Sequence, residues 1–362
     1  MKNSVLYFLI PLMLLLIILS CDCENSDVIY NFNKFPEEVT LQGTSPNLND
    51  SVSFAPLEVL KSDSLIFILA RRGNYPIHIF NYNNFNYIKP AGKIGKGPGE
   101  ITNADHIFLK NNKELWIKDA AKKKIAKYPI DSILKCTNYL YKESIDIPQD
   151  IWVSGRGHFI NDSTLIQRVT HKDGLFFVYR NEEIIDTLGN LPKKKKSNRK
   201  EKYYLYNYYA KGGYIPSKNI AIAAFMHYDI IELYDITTGK MIRKIVGPDN
   251  IKPVFTSNGI VHTSKSNGAY YRIKTDDKYI FLSYLGRTML KEGSGYEGYK
   301  AAYPSQIHVH NFNGKPVMKI KLDREFVTSI IDRKKKIIIT LGAEKQSGEG
   351  LFRIYKFPEK LL

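Results

Sequence analysis

The sequence predicts an all-β fold built from six repeated sheets, and three observations carry that reading. The 362-residue chain is rich in Tyr (25) and Phe (18), which together with many Ile and Val residues favour strands. No stretch of a dozen residues shows the apolar spacing of an amphipathic helix; short alternating or continuous apolar runs take its place. One unit then recurs, strand, short turn, strand, short turn, strand, with starts roughly 50–60 residues apart.

The unit is clearest from Asn219 to Val246. IAIAAFM reads as a buried strand, HYD as a tight turn, IIELYDI as an alternating strand, TTGK as a second turn and MIRKIV as the closing strand. The same order fills 64–95 (SLIFILA, IHIFNY, YIKPAGKIG), 114–147 (ELWIKD, KIAKYPI, YLYKESIDI), 163–189 (STLIQRVT, LFFVYR, EIIDTLG) and 278–322 (KYIFLSYLG, SQIHVHNF, KPVMKIKL). The sixth unit, 335–357 (KKIIITLG, LFRIYKF), lacks a last strand. A further short strand precedes each unit, as in LEVLK, HIFLK, GHFI and FVTSII.

Four-stranded antiparallel units at this spacing predict a six-bladed β-propeller over residues 37–362. Segment Glu37–Gln42 (EEVTLQ) is placed to supply the missing strand of the sixth blade. That N-terminal strand would close the ring and cover two sheet edges. A sandwich or a large barrel fits six quasi-repeats with a missing final strand poorly.

Residues 1–20 hold Lys2, an apolar run from Val5 to Leu19, and Ser20, the pattern of a secretory signal peptide. The run is about 15 residues, short of the ~20 that a spanning helix needs. Ile18-Leu19-Ser20-Cys21 resembles the lipobox of bacterial lipoproteins, in which the cysteine is acylated and becomes the mature N-terminus. The resemblance implies lipidation at Cys21, a flexible tether over 21–36 and a chain anchored by lipid to the bacterial cell envelope. The outer membrane is the expected membrane, with the leaflet left open. Cys23 and Cys136 could pair in an oxidising compartment, but a place in the tether argues against a specific bridge. No Cys/His set has zinc spacing, and no metal or cofactor is expected.

Nearly the whole chain resembles the TolB-like six-bladed propeller lipoproteins of Gram-negative bacteria, within the wider NHL-type and TolB-type propellers. The most specific motif is Gly92-Lys93-Ile94-Gly95-Lys96-Gly97-Pro98-Gly99-Glu100. It is similar to the G-x-x-G-x-G-P-G-E turn that leads out of a blade in such proteins, with Gly95, Gly97, Pro98 and Gly99 as structural turn residues. Leu188-Gly189 and Val246-Gly247-Pro248 are partial echoes. The stretch is not a phosphate loop, because it lacks a Gly-Lys-Ser/Thr ending and no helix follows. The family implies a fold and no one activity.

With strands a to d counted outward from the axis, b–c turns and d–a connections share one face of a propeller. That face takes the two longest insertions, 192–213 and 286–304, and such loops are commonly functional. It also gathers basic residues, among them Arg71, Arg72, Lys93, Lys96, Lys122, Lys123, Lys193, Lys194, Lys195, Lys196, Arg287 and Lys291, against few Glu. The opposite face is closer to balanced. A net charge of +17 on an exported chain either marks an anionic partner or keeps the protein soluble.

The stretch KKKKSNRKEKYYLYNYYAKGGY (193–214) interleaves bases with aromatic residues. Export argues against nucleic acid as the partner. The same chemistry suits an acidic polysaccharide, lysines meeting carboxylate or sulfate and tyrosine rings packing on sugar C–H faces. Alternation of Tyr204, Tyr206 and Tyr208 is equally what ordinary strand filling produces. The candidate ligand residues are Arg71, Arg72, Lys193, Lys194, Lys195, Lys196, Tyr203, Tyr204, Arg287, Tyr296 and Tyr299. His308-Val309-His310 sets two imidazoles on one strand face. With no third ligand in sight it reads as a solvated sheet face. There is no G-x-S-x-G elbow, no HExxH and no distinguishable carboxylate pair.

The expected function is a non-catalytic binding or scaffolding module for an anionic glycan or a partner protein, working through the basic face. The alternative is a propeller enzyme (a glycan lyase or hydrolase, or a lactonase-like esterase) with its site in the central channel. Asp, Glu, His or Asn converging there from at least three blades marks the enzyme; an apolar or small lining marks the binder.

Overall fold

The computed structural model describes residues 28–46, 55–70, 73–147, 152–171, 173–191, 207–292, 299–342 and 352–362. Six sheets stand around a central axis. Blade one is Pro56–Ser62, Leu65–Ala70, Ile77–Asn81 and Tyr87–Ala91; blade two is Ala104–Lys110, Glu114–Asp119, Lys124–Pro129 and Ser144–Asp146. Blade three is Trp152–Phe159, Thr164–His171, Gly174–Arg180 and Glu183–Leu188; blade four is Ala210–Ile215, Ile220–Phe225, Ile230–Asp235 and Met241–Val246. Blade five is Asn267–Thr275, Tyr279–Thr288, Gln306–Asn311 and Pro316–Leu322. Among the described residues blade six has three strands, Phe326–Asp332, Ile337–Gly342 and Phe352–Lys356. Each inner strand packs on that of the next blade, and the sixth returns to the first.

The apolar runs follow from this stacking. Second strands lie between two neighbouring blades, so both their faces are covered, and Ile220–Phe225 is buried at every position. Outer strands meet solvent, and Met241–Val246 buries only Ile245 fully. One apolar cluster fills each of the six blade-to-blade interfaces. Hairpin turns use residues that tolerate a left-handed backbone: Asn111 and Asn112, at φ 51° and 52°, make the first turn of blade two. A six-residue helix, Ile130–Lys135, is inserted in blade two and packs Ile133 into the core.

The N-terminal segment departs from expectation in two ways. Glu38–Leu41 does not complete blade six. It runs parallel to Pro316–Leu322 as a fifth strand on blade five, where Glu38 pairs with Lys319 and Lys321 and Val39 and Leu41 reach the core between blades five and six. Among the described residues of the segment, blade six is bridged by Thr44 alone, whose amide and carbonyl exchange hydrogen bonds with Ile354 at 2.9 and 2.8 Å. A Cβ on the preceding Gly43 would lie 2.7 Å from Arg353 and Tyr355, so only glycine lets the segment come this close. Residues 28–36 are also no free tether. Ile29–Asn31 pairs in parallel with Met241–Val246, and Phe32 and Phe35 pack into the core between blades four and five. The chain thus straps the outer rims of blades four, five and six in turn.

The strap explains a second correction. His308 and His310 do not face solvent but are 1% and 0% exposed. Phe35 lies 4.5 Å from the His308 ring, centroid to centroid, and Tyr284 stacks on its other side at 3.9 Å. The strand face that looked open in the sequence is roofed by the N-terminal segment.

Candidate functional site at the channel mouth

Hydrogen bonds confirm that b–c turns and d–a connections share a face. In blade two, Asp119 Oδ2 accepts from the Thr102 amide at 2.7 Å and Oδ1 from the Asn103 amide at 3.1 Å, joining the b–c corner to the connection from blade one. In blade four, the Gly247 amide donates to the Asp229 carbonyl at 2.8 Å.

The glycine-rich connection on this face is a compact turn. Gly97 N donates to Glu100 Oε2 at 2.8 Å, and Lys93 Nζ meets Oε1 at 2.6 Å. Lys122 Nζ donates to the Gly97 and Glu100 carbonyls at 2.9 and 2.7 Å. A Cβ on Gly95 would fall 2.0 Å from Glu100 Oε2, and Gly99 sits at φ +70° against the Tyr141 carbonyl. Lys93 and Lys122 are therefore parts of the turn's architecture.

Most of the candidate ligand residues read from the sequence (Arg71, Arg72, Lys193–Lys196, Tyr203, Tyr204 and Tyr296), and Cys21, lie outside the described residues. Tyr299 starts the strand Tyr299–Ala301, which pairs with Leu290–Glu292 in the blade-five insertion. Arg287 donates to the Tyr303 carbonyl at 3.0 Å and is ion-paired with Glu325. Lys291 meets the same carboxylate at 2.7 Å. Burial opposes ionisation of Glu325, but the two cations outweigh it and hold its pKa below the usual carboxylate value. Arg287 is thus engaged by Glu325 while its side chain remains 46% exposed.

The structure gathers a different set, supplied by inner strands and the loop-rich face. Glu58 comes from blade one, Asp105, His106 and Lys118 from blade two, Tyr209 and Lys211 from the entry to blade four, and Arg272 from blade five. Glu58 Oε2 accepts the Ile107 amide at 2.9 Å and lies 3.3 Å from His106 Nδ1. Lys118, 1% exposed, pairs with Asp105 at 2.7 Å. Arg272 is held by the Leu57 and Tyr271 carbonyls at 3.0 and 3.1 Å, the first of these bonds bridging blade five to blade one. Lys211 Nζ donates to the Tyr209 hydroxyl at 3.0 Å. Among the described residues it makes no other hydrogen bond and no ion pair.

These groups feel one another. Burial alone would raise the Tyr209 hydroxyl; the charge and hydrogen bond of Lys211, with Arg272 and Lys118 behind, overcome that and lower its pKa. The Lys211 ammonium is lowered by burial first, Tyr209 works the other way, and Arg272 and Lys118 depress it further. His106 is driven well below the ordinary imidazole value, mainly by burial. His227, in the b–c turn of blade four, falls to about 4 through burial and then the Lys211 charge. Counting Lys118, Lys211 and Arg272 against Glu58 and Asp105, three cations face two carboxylates.

At the opposite end the axis opens into a cavity of about 280 Å3 lined by Val59, Lys61, His158, Tyr214, Ile273 and Ile330 among others. The two ends thus differ: this one mixes apolar side chains with Lys61, His158, Lys274 and Thr275, while the other gathers the charged set above. Carboxylates and imidazoles enter the polar end from blades one, two and four, as Glu58, Asp105, His106 and His227. Among the described residues no group of three or more His, Cys, Asp or Glu is placed to hold a metal ion, and no helix is long and apolar enough to cross a membrane. Sequence reasoning missed this cluster because its members are scattered over four blades, from residue 58 to residue 272. The available signal was weak: Lys211 and Arg272 are charged residues inside strands that a propeller turns toward its axis.

The fold and this mouth define a six-bladed propeller with a cation-rich, polar channel entrance. The family model described as TolB-like 6-blade propeller-like matches residues 34–334, and the chain belongs to that family. No curated protein matches it. Among solved structures it is similar to a candidate exported protein of Bacteroides fragilis NCTC 9343, with a TM-score of 0.59 and 14% identity over 91% of this chain and 98% of that one. A DUF4221 family member from Bacteroides vulgatus ATCC 8482 gives a TM-score of 0.55 and 11% identity, covering 87% of this chain and 96% of the other. At these identities the likeness is one of fold.

Proposed function

We propose that this propeller is an exported lipoprotein, acylated at Cys21, that binds an anionic glycan at the polar mouth of its channel. One observation carries the ligand class. Lys211 stands in the mouth with a tyrosine as its only hydrogen-bond partner among the described residues, while Arg272 and Lys118 add like charge around it. A buried or half-buried cation normally has an anion beside it, and a carboxylate or sulfate on a sugar would supply one. In the sequence, Tyr209 and Lys211 belong to the same 192–213 insertion as the lysine run. Lys193–Lys196 are proposed to add to the binding of a polymer.

The test is calorimetric titration of the soluble chain from residue 24 onward with acidic and neutral glycans over a salt series. Binding of acidic glycans alone, weakened by salt and lost in Lys211→Ala, is the expected result. Equal binding of neutral glycans, or a Lys211→Ala variant that binds as well as the parent, would refute the reading. Acylation is tested separately: Cys21→Ala should release the full chain from cell membranes.

A further inference from the structure

We propose that the channel mouth also cleaves its glycan, by β-elimination at a uronate, with Tyr209 carrying the proton and Lys211 holding the sugar carboxylate. The inference rests on the anionic-glycan reading above and adds a reaction to it.

Eliminating across a uronate requires loss of the proton at C5, alpha to a carboxylate that is already negative. That step demands a cation at the carboxylate, a base of matched strength within reach, and a proton for the departing oxygen. The mouth brings these together. Lys211 has three N–H donors, and one of them goes to the Tyr209 hydroxyl at 3.0 Å. A carboxylate bound by another would stand beside the phenol oxygen. Arg272, fixed across the axis by the Leu57 and Tyr271 carbonyls, adds charge that cannot swing away. That field also favours the ionised phenol, which is why Tyr209 titrates below an ordinary tyrosine. The neighbouring imidazole is held neutral by burial beside Glu58, so it adds no competing charge.

The step balances without a co-reactant. The Tyr209 phenolate takes the C5 proton. The C–H electron pair becomes the second bond of C4=C5, and the bond from C4 to the glycosidic oxygen breaks with its pair leaving on that oxygen. The Tyr209 hydroxyl then returns the proton to the oxygen, which ends as a free hydroxyl on the departing chain. Nothing is oxidised, no water is consumed, and the phenolate is restored.

The experiment incubates the soluble chain with polygalacturonate, alginate and hyaluronate. It follows the ultraviolet absorbance of the conjugated C4=C5 uronate and measures binding in parallel by calorimetry. The expected result is enoate formation on at least one polymer, reduced at least ~100-fold in Tyr209→Phe with affinity kept within a few-fold. Lys211→Ala should lose affinity as well as product. Binding of a polyuronate with no enoate would overturn the elimination and leave the glycan reading standing. No binding of any polyuronate would overturn the inference. New reducing ends without an enoate would signify hydrolysis and overturn it too. Full product formation by a folded Tyr209→Phe would remove Tyr209 from the role.

Discussion

The Tyr82 hydroxyl donates to Asp332 Oδ2 at 2.5 Å across the seam where blade six meets blade one, joining residues 250 apart in the chain. Lys61 Nζ meets the same oxygen at 3.0 Å, and the Lys335 amide donates to Oδ1 at 2.9 Å. Among the described residues blade six has three strands and one bridge from Thr44, and these side chains tie its inner hairpin to blade one. Tyr82→Phe should lower the unfolding free energy by about 1–3 kcal/mol, the cost of leaving a buried acceptor short of a donor, as read from denaturant melts. Burial opposes ionisation of Asp332, but Tyr82, the Lys335 amide and Lys61 outweigh it and hold its pKa below 3.8. The folded pKa is the lower one, so this contribution is present above the unfolded value and is lost as pH falls through the folded one. Tyr82→Phe should therefore flatten the acid limb of the stability curve.

Asp229 should behave in the opposite sense. It is 1% exposed, accepts from the Tyr270 hydroxyl at 2.7 Å and the Asp249 amide at 3.0 Å, and is pushed up to about 6, chiefly by burial. The native state keeps the proton longer than the unfolded chain, whose carboxyl titrates near 3.8. Stability from this group is present at low pH and falls as pH rises from about 4 to about 6. Asp229→Asn should remove that fall, checked by comparing urea midpoints of the two proteins across the window. An unchanged slope would place the titration elsewhere.

The strap should loosen in mild acid. Burial holds His308 well below 6.5 and His310 down to about 4. Both are neutral in the folded state, while the unfolded chain takes up protons from pH 6.5 downward. Their stabilising contribution is complete above 6.5 and is lost progressively as pH falls toward the folded values. Phe35→Ala opens the roof over His308 and should bring its titration back toward 6.5, visible in imidazole proton shifts.

Gly99→Ala tests the connection between blades one and two. The position has φ +70°, and a Cβ there would lie 2.9 Å from the Tyr141 carbonyl oxygen. The left-handed backbone costs a non-glycine residue roughly 1–2 kcal/mol, and the contact with fixed backbone adds to it. Thermal melts should show the loss, with binding at the channel mouth unaltered.

The blades were legible because their second and third strands are buried on both faces, so runs such as IAIAAF stand out in one sequence. Glu38–Leu41 was legible as a strand but not in its partner. Its pattern of alternate exposure suits any blade rim, and the choice of blade five depends on Lys319 and Lys321, 281 and 283 residues away. His308 and His310 read as open because their cover, Phe32 and Phe35, lies in a segment whose polar composition looks like linker. The basic face was visible as charge, yet charge alone does not separate Lys122, which caps two carbonyls, from Lys211, which no carboxylate meets among the described residues.

The strap also sets where the chain N-terminal to it leaves the ring. Val28 is fixed to the rim of blade four, its carbonyl accepting the Lys244 amide at 2.6 Å. Seven residue steps lead from it back to Cys21, a reach of about 25 Å when fully extended. If Cys21 carries the proposed acyl chain, the bilayer would be joined to the propeller through the outer rim of blade four and not through either opening of its channel.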